Sequence, residues 1–170
     1  MHSVPLRVAF AGTPEFAACA LEAILAAGHE VVLVLTQPDR PAGRGMKLSP
    51  SAVKQLALAR GIEFDQPEKL RTDAQRARLV ACAPDVLVVA AYGLILPPAV
   101  LELPRHGVWS FHHGDPRSFR GRPPVFWETL RGAATAGVIL QRLSPILDGG
   151  AILREGHVRV RGWSLSATLQ

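Results

Sequence analysis

Short apolar runs alternate with segments of helical periodicity along most of this sequence. The runs at residues 31–35 and 86–91 are continuous, which is typical of strands covered on both faces of a sheet. A helix is predicted before them, because residues 16–24 carry an apolar stripe at helical spacing and Gly28 follows it. This alternation predicts the α/β class, with a mainly parallel, doubly wound sheet and right-handed crossovers.

Capping and turn residues predict where other elements lie. Thr13-Pro14-Glu15 has the pattern of a helix start, with Thr as the cap and Pro at the first helical position. Thr72 and Gln75 have the spacing of a capping box. Further strands are predicted at residues 6–11, 108–111, 138–143 and 151–160, with helices from Ser49-Pro50 to Gly61 and near residues 125–130.

Composition and charge fit one folded domain with an anionic partner. With 170 residues and 48% hydrophobic side chains, the chain can bury a core. It shows no apolar run near the ~20 residues of a membrane helix and no secretory signal, so a cytoplasmic protein without membrane contact is expected. The net charge of +5 favours a partner such as nucleic acid. The two cysteines lack CxxC spacing, which disfavours a disulfide framework or a zinc knuckle.

The turns after the first two strands carry different signals. The first, Ala11-Gly12-Thr13-Pro14, has one glycine where a dinucleotide fold needs GxGxxG, and no phosphate-binding GxxxxGK[ST] occurs anywhere. The second, residues 37–49, spans 13 positions, whereas such connections usually have about 2–6. It carries Arg40, Arg44 and Lys47. Two interpretations stay open for it: a mobile basic finger that grips phosphates, or a solvated flexible loop.

Polar residues near the end of a later strand form a candidate catalytic site. Ser110 and His112 are two positions apart, so they point to one face near the strand's carboxyl end. His113 points to the other face and no third ligand is apparent, so no metal site is expected. Asp148, in a Leu-Asp-Gly-Gly segment, belongs either to a hairpin turn or to the site, where its carboxylate orients His112.

Four segments together resemble one enzyme family. They are Val8-Ala9-Phe10-Ala11-Gly12-Thr13-Pro14-Glu15-Phe16, Thr36-Gln37-Pro38-Asp39-Arg40-Pro41-Ala42-Gly43-Arg44-Gly45, Gln66-Pro67-Glu68-Lys69-Leu70 and Ala91-Tyr92-Gly93-Leu94-Ile95-Leu96-Pro97. Over roughly residues 6–105 the chain closely resembles the methionyl-tRNA formyltransferases. The resemblance implies a Rossmann-like formyltransferase fold and transfer of a formyl group from 10-formyltetrahydrofolate to the amine of initiator methionyl-tRNA. The implied protein is a monomer that needs no metal.

The resemblance also assigns roles to particular residues. His112 matches the family's catalytic histidine and Asp148 its catalytic aspartate, while Ser110 stands where the family has a catalytic asparagine. Gly114-Asp115-Pro116-Arg117 replaces the folate-contacting Ser-Leu-Leu-Pro. The implied folate-binding residues are Tyr92, Gly93, Leu94, Gly114, Asp115, Pro116 and Arg117, and the implied tRNA-contacting residues are Arg40, Arg44 and Lys47.

The resemblance further implies how the chain is organised. Residues 1–170 correspond to a catalytic domain that is cut short, because residues 164–170 look like the first turn of a helix, and the family's barrel-like tRNA-binding domain lies outside them. Three alternatives remain: a formyltransferase acting on another amine, such as an amino sugar or amino acid derivative; a catalytically impaired RNA-binding fragment; and an unrelated α/β ligand-binding domain.

Overall fold

The computed structural model describes residues 4–42, 47–114, 130–146 and 149–159. The chain divides into two compact units, Met1–Val108 and Trp109–Gln170. Across the described ranges, every helix is too short or too polar to span a bilayer.

Strands and helices alternate in the first unit. Its described strands are β1 (Arg7–Gly12), β2 (Glu30–Leu35), β3 (Arg40–Ala42), β4 (Lys47–Ser49), β5 (Phe64–Asp65) and β6 (Val86–Ala90). Its described helices are α1 (Glu15–Ala26), α2 (Ala52–Arg60), α3 (Asp73–Ala81) and α4 (Pro98–Leu101). The elements predicted from the longer apolar runs are confirmed to within a few residues.

The sheet of this unit is parallel, and the direction in which the chain adds strands to it reverses at β1. Its strands follow the order β5-β2-β1-β6, with parallel pairs throughout. The chain moves outward from β1 through β2 to β5 and then returns to the other side of β1. Because crossovers between parallel strands are right-handed, this reversal puts α1 and α2 on one face and α3 on the other. α1 and α2 do contact each other. The expected α/β class with a doubly wound sheet is confirmed.

The core of the first unit is built from the apolar runs of β1 and β6. All five residues of β6 are buried, as are Val8 to Gly12 of β1. The largest fully buried side chains come from the strands, from α1 and α3, and from the turn after β6; they are Tyr92, Phe10, Leu21, Leu35, Leu79 and Leu87. Continuous rather than alternating burial is what a sheet covered on both faces requires.

The start of α1 differs from the prediction. The helix begins at Glu15, with Pro14 in the capping position and no side-chain cap. Pro14 holds an extended backbone there, and Thr13 is thereby one residue too early to cap. Its hydroxyl instead donates to the carbonyl oxygen of Tyr92 at 3.4 Å. The expected capping role of Thr13 is therefore wrong, and the residue belongs to a contact between strand ends.

The ends of α2 and α3 follow the sequence signals more closely. Ser51 caps α2, its hydroxyl oxygen accepting from the backbone N–H of Lys54 at 3.0 Å. Gly61 ends that helix with φ at +64°, as the glycine predicted. Thr72 and Gln75 form the predicted capping box of α3.

The long connection after β2 contains an antiparallel ribbon that the sequence did not predict. In this ribbon, Arg40 of β3 lies opposite Ser49 of β4 and Ala42 lies opposite Lys47. We call residues 40–49 the basic hairpin. Its strands have three residues each and lack apolar alternation, so no period-two signal was available. The strands β3 and β4 do not decide between the two interpretations of residues 37–49, since neither strand shows whether the segment binds phosphates.

The second unit has an antiparallel arrangement. It comprises β7 (Val108–His113), β8 (Thr135–Arg142) and β9 (Ile152–Arg159), where β8 pairs antiparallel with both others. The three predicted strands are confirmed with shifted ends. The predicted helix near residues 125–130 falls outside the described residues, apart from its end. β8 and β9 are consecutive and antiparallel, but residues 143–151 connect them, so the connection is longer than the two-residue Asp-Gly turn of one interpretation.

Candidate functional site

A polar site forms in the first unit where the sheet order reverses. In open α/β sheets, ligands bind outside the carboxyl ends of the strands at such a switch point. The carboxyl ends of β1 and β6 lie side by side here, with Gly12 paired to Ala90. A Cβ at Gly12 would come within 2.8 Å of the Ala17 Cβ and the Ala90 carbonyl oxygen. The single glycine of the first turn therefore allows α1 to pack closely against the strand ends.

The turn that leaves β6 has an unusual backbone. Ala91 and Gly93 both have positive φ, at 44° and 84°, and Tyr92 lies between them with 1% of its surface exposed. We call these three residues the Tyr92 turn. The left-handed region is costly for alanine, so the surrounding contacts must hold this conformation. Two side chains do so, because Thr13 and Gln37 both donate to the Tyr92 carbonyl oxygen.

The Tyr92 ring adds a second unusual feature. Its hydroxyl oxygen is buried without a hydrogen-bond partner among the described residues. Burial, reinforced by the negative charge of Asp65, raises the pKa of Tyr92 well above its usual range. Tyr92 is therefore a neutral, apolar contributor at physiological pH. The neighbouring Gly93, which is exposed, and half-buried Leu94 offer the accessible groups.

A network of charged and amide side chains supports the base of the basic hairpin. The ammonium of Lys54 lies 2.6 Å from a carboxylate oxygen of Asp39 and 3.0 Å from the side-chain oxygen of Gln66. The Gln66 amide donates to the other Asp39 oxygen and to the Gln37 carbonyl, both at 2.8 Å. The hydrogen bonds from Lys54 and Gln66 lower the pKa of Asp39 below its usual value. Asp39 therefore stays ionised at neutral pH.

The basic residues proposed to meet RNA are described to different extents. Arg40 opens the hairpin, and its guanidinium donates to the side-chain oxygen of Gln37 at 3.2 Å. Lys47 lies in β4, and its side chain falls outside the described residues, as does Arg44. Of the three predicted cations, the structure thus describes the side chain of Arg40, which is connected to the Tyr92 turn through Gln37.

The second unit carries the Ser-x-His pair on β7. Ser110 is buried and lies opposite buried Gln141 of β8, while His112 lies opposite Ile139. Strand alternation places Ser110 and His112 on one face. The Phe111 and His113 rings lie together on the other face, with centroids 5.5 Å apart in an edge-to-face arrangement. The predicted pairing of Ser110 with His112 on one face is thus reproduced by the strand.

His113 is harder to protonate than a surface histidine. Burial is the main cause that lowers the pKa of His113 below its usual value, and the charge of the nearby His112 adds to the effect. It is therefore neutral at pH 7 and acts as a packing residue beside Phe111. Within the described residues there is no cluster of three or more His, Cys, Asp or Glu side chains that could hold a metal ion.

The connection from β8 to β9 holds its glycines tightly. A Cβ at Gly150 would come within 1.7 Å of the Arg142 carbonyl oxygen, and the Gln141 amide donates to the Gly150 carbonyl at 2.7 Å. Gly114 leaves β7 with φ at +85°, and its N–H donates to the Gly137 carbonyl. Asp148 lies outside the described residues, as do Asp115, Pro116 and Arg117. Their predicted roles stay predictions.

Several residues of the first-unit site were missed by the sequence analysis. They are Thr13, Gln37, Asp39, Lys54 and Gln66. A signal was present, because Gln37 and Gln66 each come just after a strand, where polar side chains reach the ligand-binding edge.

Comparison with known proteins gives a consistent result. A family model described as formyl transferase matches residues 6–168. A methionyl-tRNA formyltransferase from Aromatoleum aromaticum is 61% identical over 160 residues, covering 94% of this chain and 51% of the relative. A methionyl-tRNA formyltransferase from Thiobacillus denitrificans is 54% identical over 164 residues, covering 96% of this chain and 53% of the relative. The chain thus spans about half the length of the curated relatives it matches.

Solved structures share the fold at low identity. A phosphoribosylglycinamide formyltransferase from Anaplasma phagocytophilum superposes with a TM-score of 0.75 at 19% identity, covering 98% of this chain and 78% of that one. A formyltetrahydrofolate deformylase from Pseudomonas syringae gives a TM-score of 0.73 at 22% identity, covering 99% of this chain and 56% of that one. The family model matches nearly the whole of this chain, so this chain belongs to the formyl transferase family.

Proposed function

We propose that this chain carries the formyl-transfer chemistry of a methionyl-tRNA formyltransferase. The observation that carries the proposal is the 46–61% identity to relatives of that name over about 95% of this chain. The donor is 10-formyltetrahydrofolate and the acceptor is the amine of methionine on initiator tRNA. Residues 1–170 belong to its catalytic domain, and the protein acts as a monomer in the cytoplasm.

The reaction needs a neutral amine, a stabilised oxyanion and a path for one proton. The amine nitrogen attacks the formyl carbon, forming a C–N bond and a tetrahedral intermediate with a negative oxygen. Collapse of the intermediate breaks the bond to the folate nitrogen, which takes up a proton as the amine loses one. No covalent enzyme intermediate is required. The protein's task is therefore to place hydrogen-bond donors at the oxyanion and to route the proton.

Ser110 and His112 supply the oxyanion donors in this proposal. Their common face on β7 supports the assignment, because both side chains then approach one substrate atom from the same side. Asp148 orients the imidazole of His112 or accepts the amine proton through a water. Ser110 reaches less far than the asparagine of the family, and loss of a full oxyanion donor costs about 2.7–4 kcal/mol. We expect a correspondingly slower enzyme.

The two substrates approach different parts of the chain. The folate is proposed to bind at the Tyr92 turn and Leu94, with Gly114, Asp115, Pro116 and Arg117 as further contacts. The switch-point position of the Tyr92 turn supports this assignment. The tRNA is proposed to bind at the basic hairpin through Arg40, Arg44 and Lys47. Arginine and lysine on a ribbon match the phosphates of an acceptor stem.

The test is a formyl-transfer assay with the purified chain. Radiolabelled 10-formyltetrahydrofolate is offered with methionyl initiator tRNA, and in parallel with amino sugars and amino acid amides. We expect transfer to the tRNA, and none from the His112→Ala variant. Transfer to a small amine alone would favour the alternative acceptor. RNA binding without transfer to any acceptor would favour the impaired RNA-binding fragment.

A further inference from the structure

The side chain of Gln37 joins the basic hairpin to the Tyr92 turn. Its amide nitrogen donates to the Tyr92 carbonyl oxygen at 3.0 Å, and its amide oxygen accepts from the Arg40 guanidinium at 3.2 Å. Arg40 and Tyr92 are far apart in sequence and belong to different substructures. One glutamine therefore spans both by using its donor and its acceptor at once.

The turn that Gln37 holds is one that needs external support. Ala91 has φ at 44°, a conformation that is costly for a residue with a Cβ and persists only where surrounding contacts fix it. A Cβ at Gly93 would lie 3.6 Å from the Gln37 amide nitrogen, so the glutamine also lies against this residue. The only other side chain donating to the Tyr92 carbonyl among the described hydrogen bonds is Thr13, at a longer 3.4 Å.

Gln37 is itself held from its backbone. The Gln66 amide donates to the Gln37 carbonyl at 2.8 Å and to Asp39 at the same distance. Lys54 bridges Asp39 and Gln66, with its ammonium 2.6 Å and 3.0 Å from their oxygens. These bonds fix where the Gln37 side chain starts, and Arg40 and Tyr92 fix where it ends. A side chain held at both ends transmits a restraint on one to the other.

We propose that Gln37 is a positioning residue through which acceptor RNA bound at Arg40 orders the folate-binding Tyr92 turn. The inference rests on the proposed function, which places RNA at the basic hairpin and folate at the turn. Arg40 has five N–H donors in a rigid fork, so it can take a phosphate oxygen while keeping its bond to Gln37. An Arg40 fixed by phosphate holds Gln37 more firmly, and Gln37 then holds the Tyr92 carbonyl. RNA and folate therefore assist each other's binding to the same extent.

The test compares variants that cut different parts of this connection. Gln37→Leu removes both hydrogen bonds, whereas Gln37→Glu keeps the bond to Arg40 and loses the donor to Tyr92. Gln55→Leu is the matched control, because Gln55 is exposed and donates to the Pro50 carbonyl outside the network. Circular dichroism confirms that each variant is folded. If Gln37→Leu does not fold, Gln37→Glu provides the test.

The main readout is the Kd of 5-formyltetrahydrofolate, measured by calorimetry with and without methionyl initiator tRNA. We expect tRNA to tighten folate binding of the unaltered chain and of Gln55→Leu by about threefold to tenfold. Both Gln37 variants should abolish this tightening. An undiminished tRNA effect in Gln37→Glu would overturn the proposal.

The second readout is hydrogen exchange at the amides of Gly93 and Leu94, which needs no ligand. We expect faster exchange there in both Gln37 variants than in Gln55→Leu. Arg40→Leu should have a smaller effect, and combining it with Gln37→Leu should add nothing, because Arg40 acts through Gln37. Additive effects, or unchanged exchange at the Tyr92 turn, would refute the role of Gln37 as a positioning residue. Absence of folate binding by the unaltered chain would instead refute the proposed function, since the exchange result stands apart from it.

Discussion

At the scale of single residues, Ser110 is the proposed oxyanion donor whose identity has the most direct chemical consequence. Its hydroxyl is a shorter donor than an asparagine amide, and its buried place opposite Gln141 fixes how far it can shift. We expect Ser110→Asn to raise kcat for tRNA formylation about tenfold, with the Kd for folate unchanged, because one hydrogen bond is improved in the transition state only.

Steady-state kinetics with saturating folate test this expectation. A kcat that stays the same or falls, together with weaker use of another amine, would show that Ser110 belongs to a site adapted to that acceptor. Unchanged kinetics with every acceptor would remove Ser110 from the catalytic residues.

Tyr92 carries a buried hydroxyl without a partner among the described residues. Burying such a group unpaired costs about 1–3 kcal/mol, whereas the ring itself packs well. We therefore expect Tyr92→Phe to keep or raise the free energy of unfolding, by up to about 1 kcal/mol. Urea denaturation measures the change. A loss of stability would show that the hydroxyl is satisfied by residues outside the described ranges.

His113 links stability to pH. Burial lowers its folded-state pKa, so the unfolded chain binds more protons at this site. Its contribution to stability is complete above the unfolded-state pKa of about 6.5 and is lost as the pH falls from there through the folded-state pKa. We expect His113→Phe, which keeps an aromatic ring beside Phe111, to lose less stability than the unaltered chain between pH 7.5 and 5. Identical pH profiles of the denaturation midpoint would show that His113 is not the titrating group.

At the scale of elements, two glycines at the ends of α1 have different reasons to be glycine. Gly12 has no room for a Cβ, which would meet the Ala90 carbonyl oxygen at 2.8 Å. Gly28 has open space but a φ of +82°. We expect Gly12→Ala to cost about 1–3 kcal/mol through overpacking and Gly28→Ala about 1 kcal/mol through backbone strain. Thermal denaturation of the two variants shows which one loses more stability. A smaller loss for Gly12→Ala would mean that α1 shifts away from the added Cβ at little cost in free energy.

The elements also show which sequence signals were sufficient. Continuous apolar runs predicted β1, β2 and β6, because burial on both faces leaves a local pattern. The capping box of Thr72 and Gln75 was predicted because both partners are local. The ribbon β3–β4 was not predicted, since its strands have three residues each and lack apolar alternation. The bonds among Asp39, Lys54 and Gln66 were not predicted either, since they join residues 12 to 27 positions apart and depend on how the chain returns. Gln37 belongs to a segment that resembles the family, but its contact with Tyr92 depends on the tertiary fold.

At the scale of the whole molecule, the net charge of +5 must be separated from the cations that contact RNA. A uniform positive field attracts RNA weakly and without a fixed site, whereas each phosphate contact releases counterions and steepens the salt dependence of binding. The basic hairpin concentrates three cations in one short segment, so its contribution should exceed that of a single surface arginine elsewhere. Arg60, the last residue of α2, is such an arginine, and it forms an ion pair with Glu22 of α1.

Arg44→Ala and Arg60→Ala therefore form a matched pair in which the change in net charge is the same. We expect Arg44→Ala to weaken methionyl-tRNA binding and to lower the slope of log K against log salt concentration by about one, because one phosphate contact is lost. Arg60→Ala should leave the slope unchanged. Formylation of a small amine, where it occurs, should be the same in both variants, because no phosphate is involved.

Filter binding of the tRNA over a series of potassium chloride concentrations measures the slopes. Equal slopes would mean that net charge alone governs RNA binding, and a parallel loss of small-amine formylation would mean that Arg44 supports the folate site or the fold.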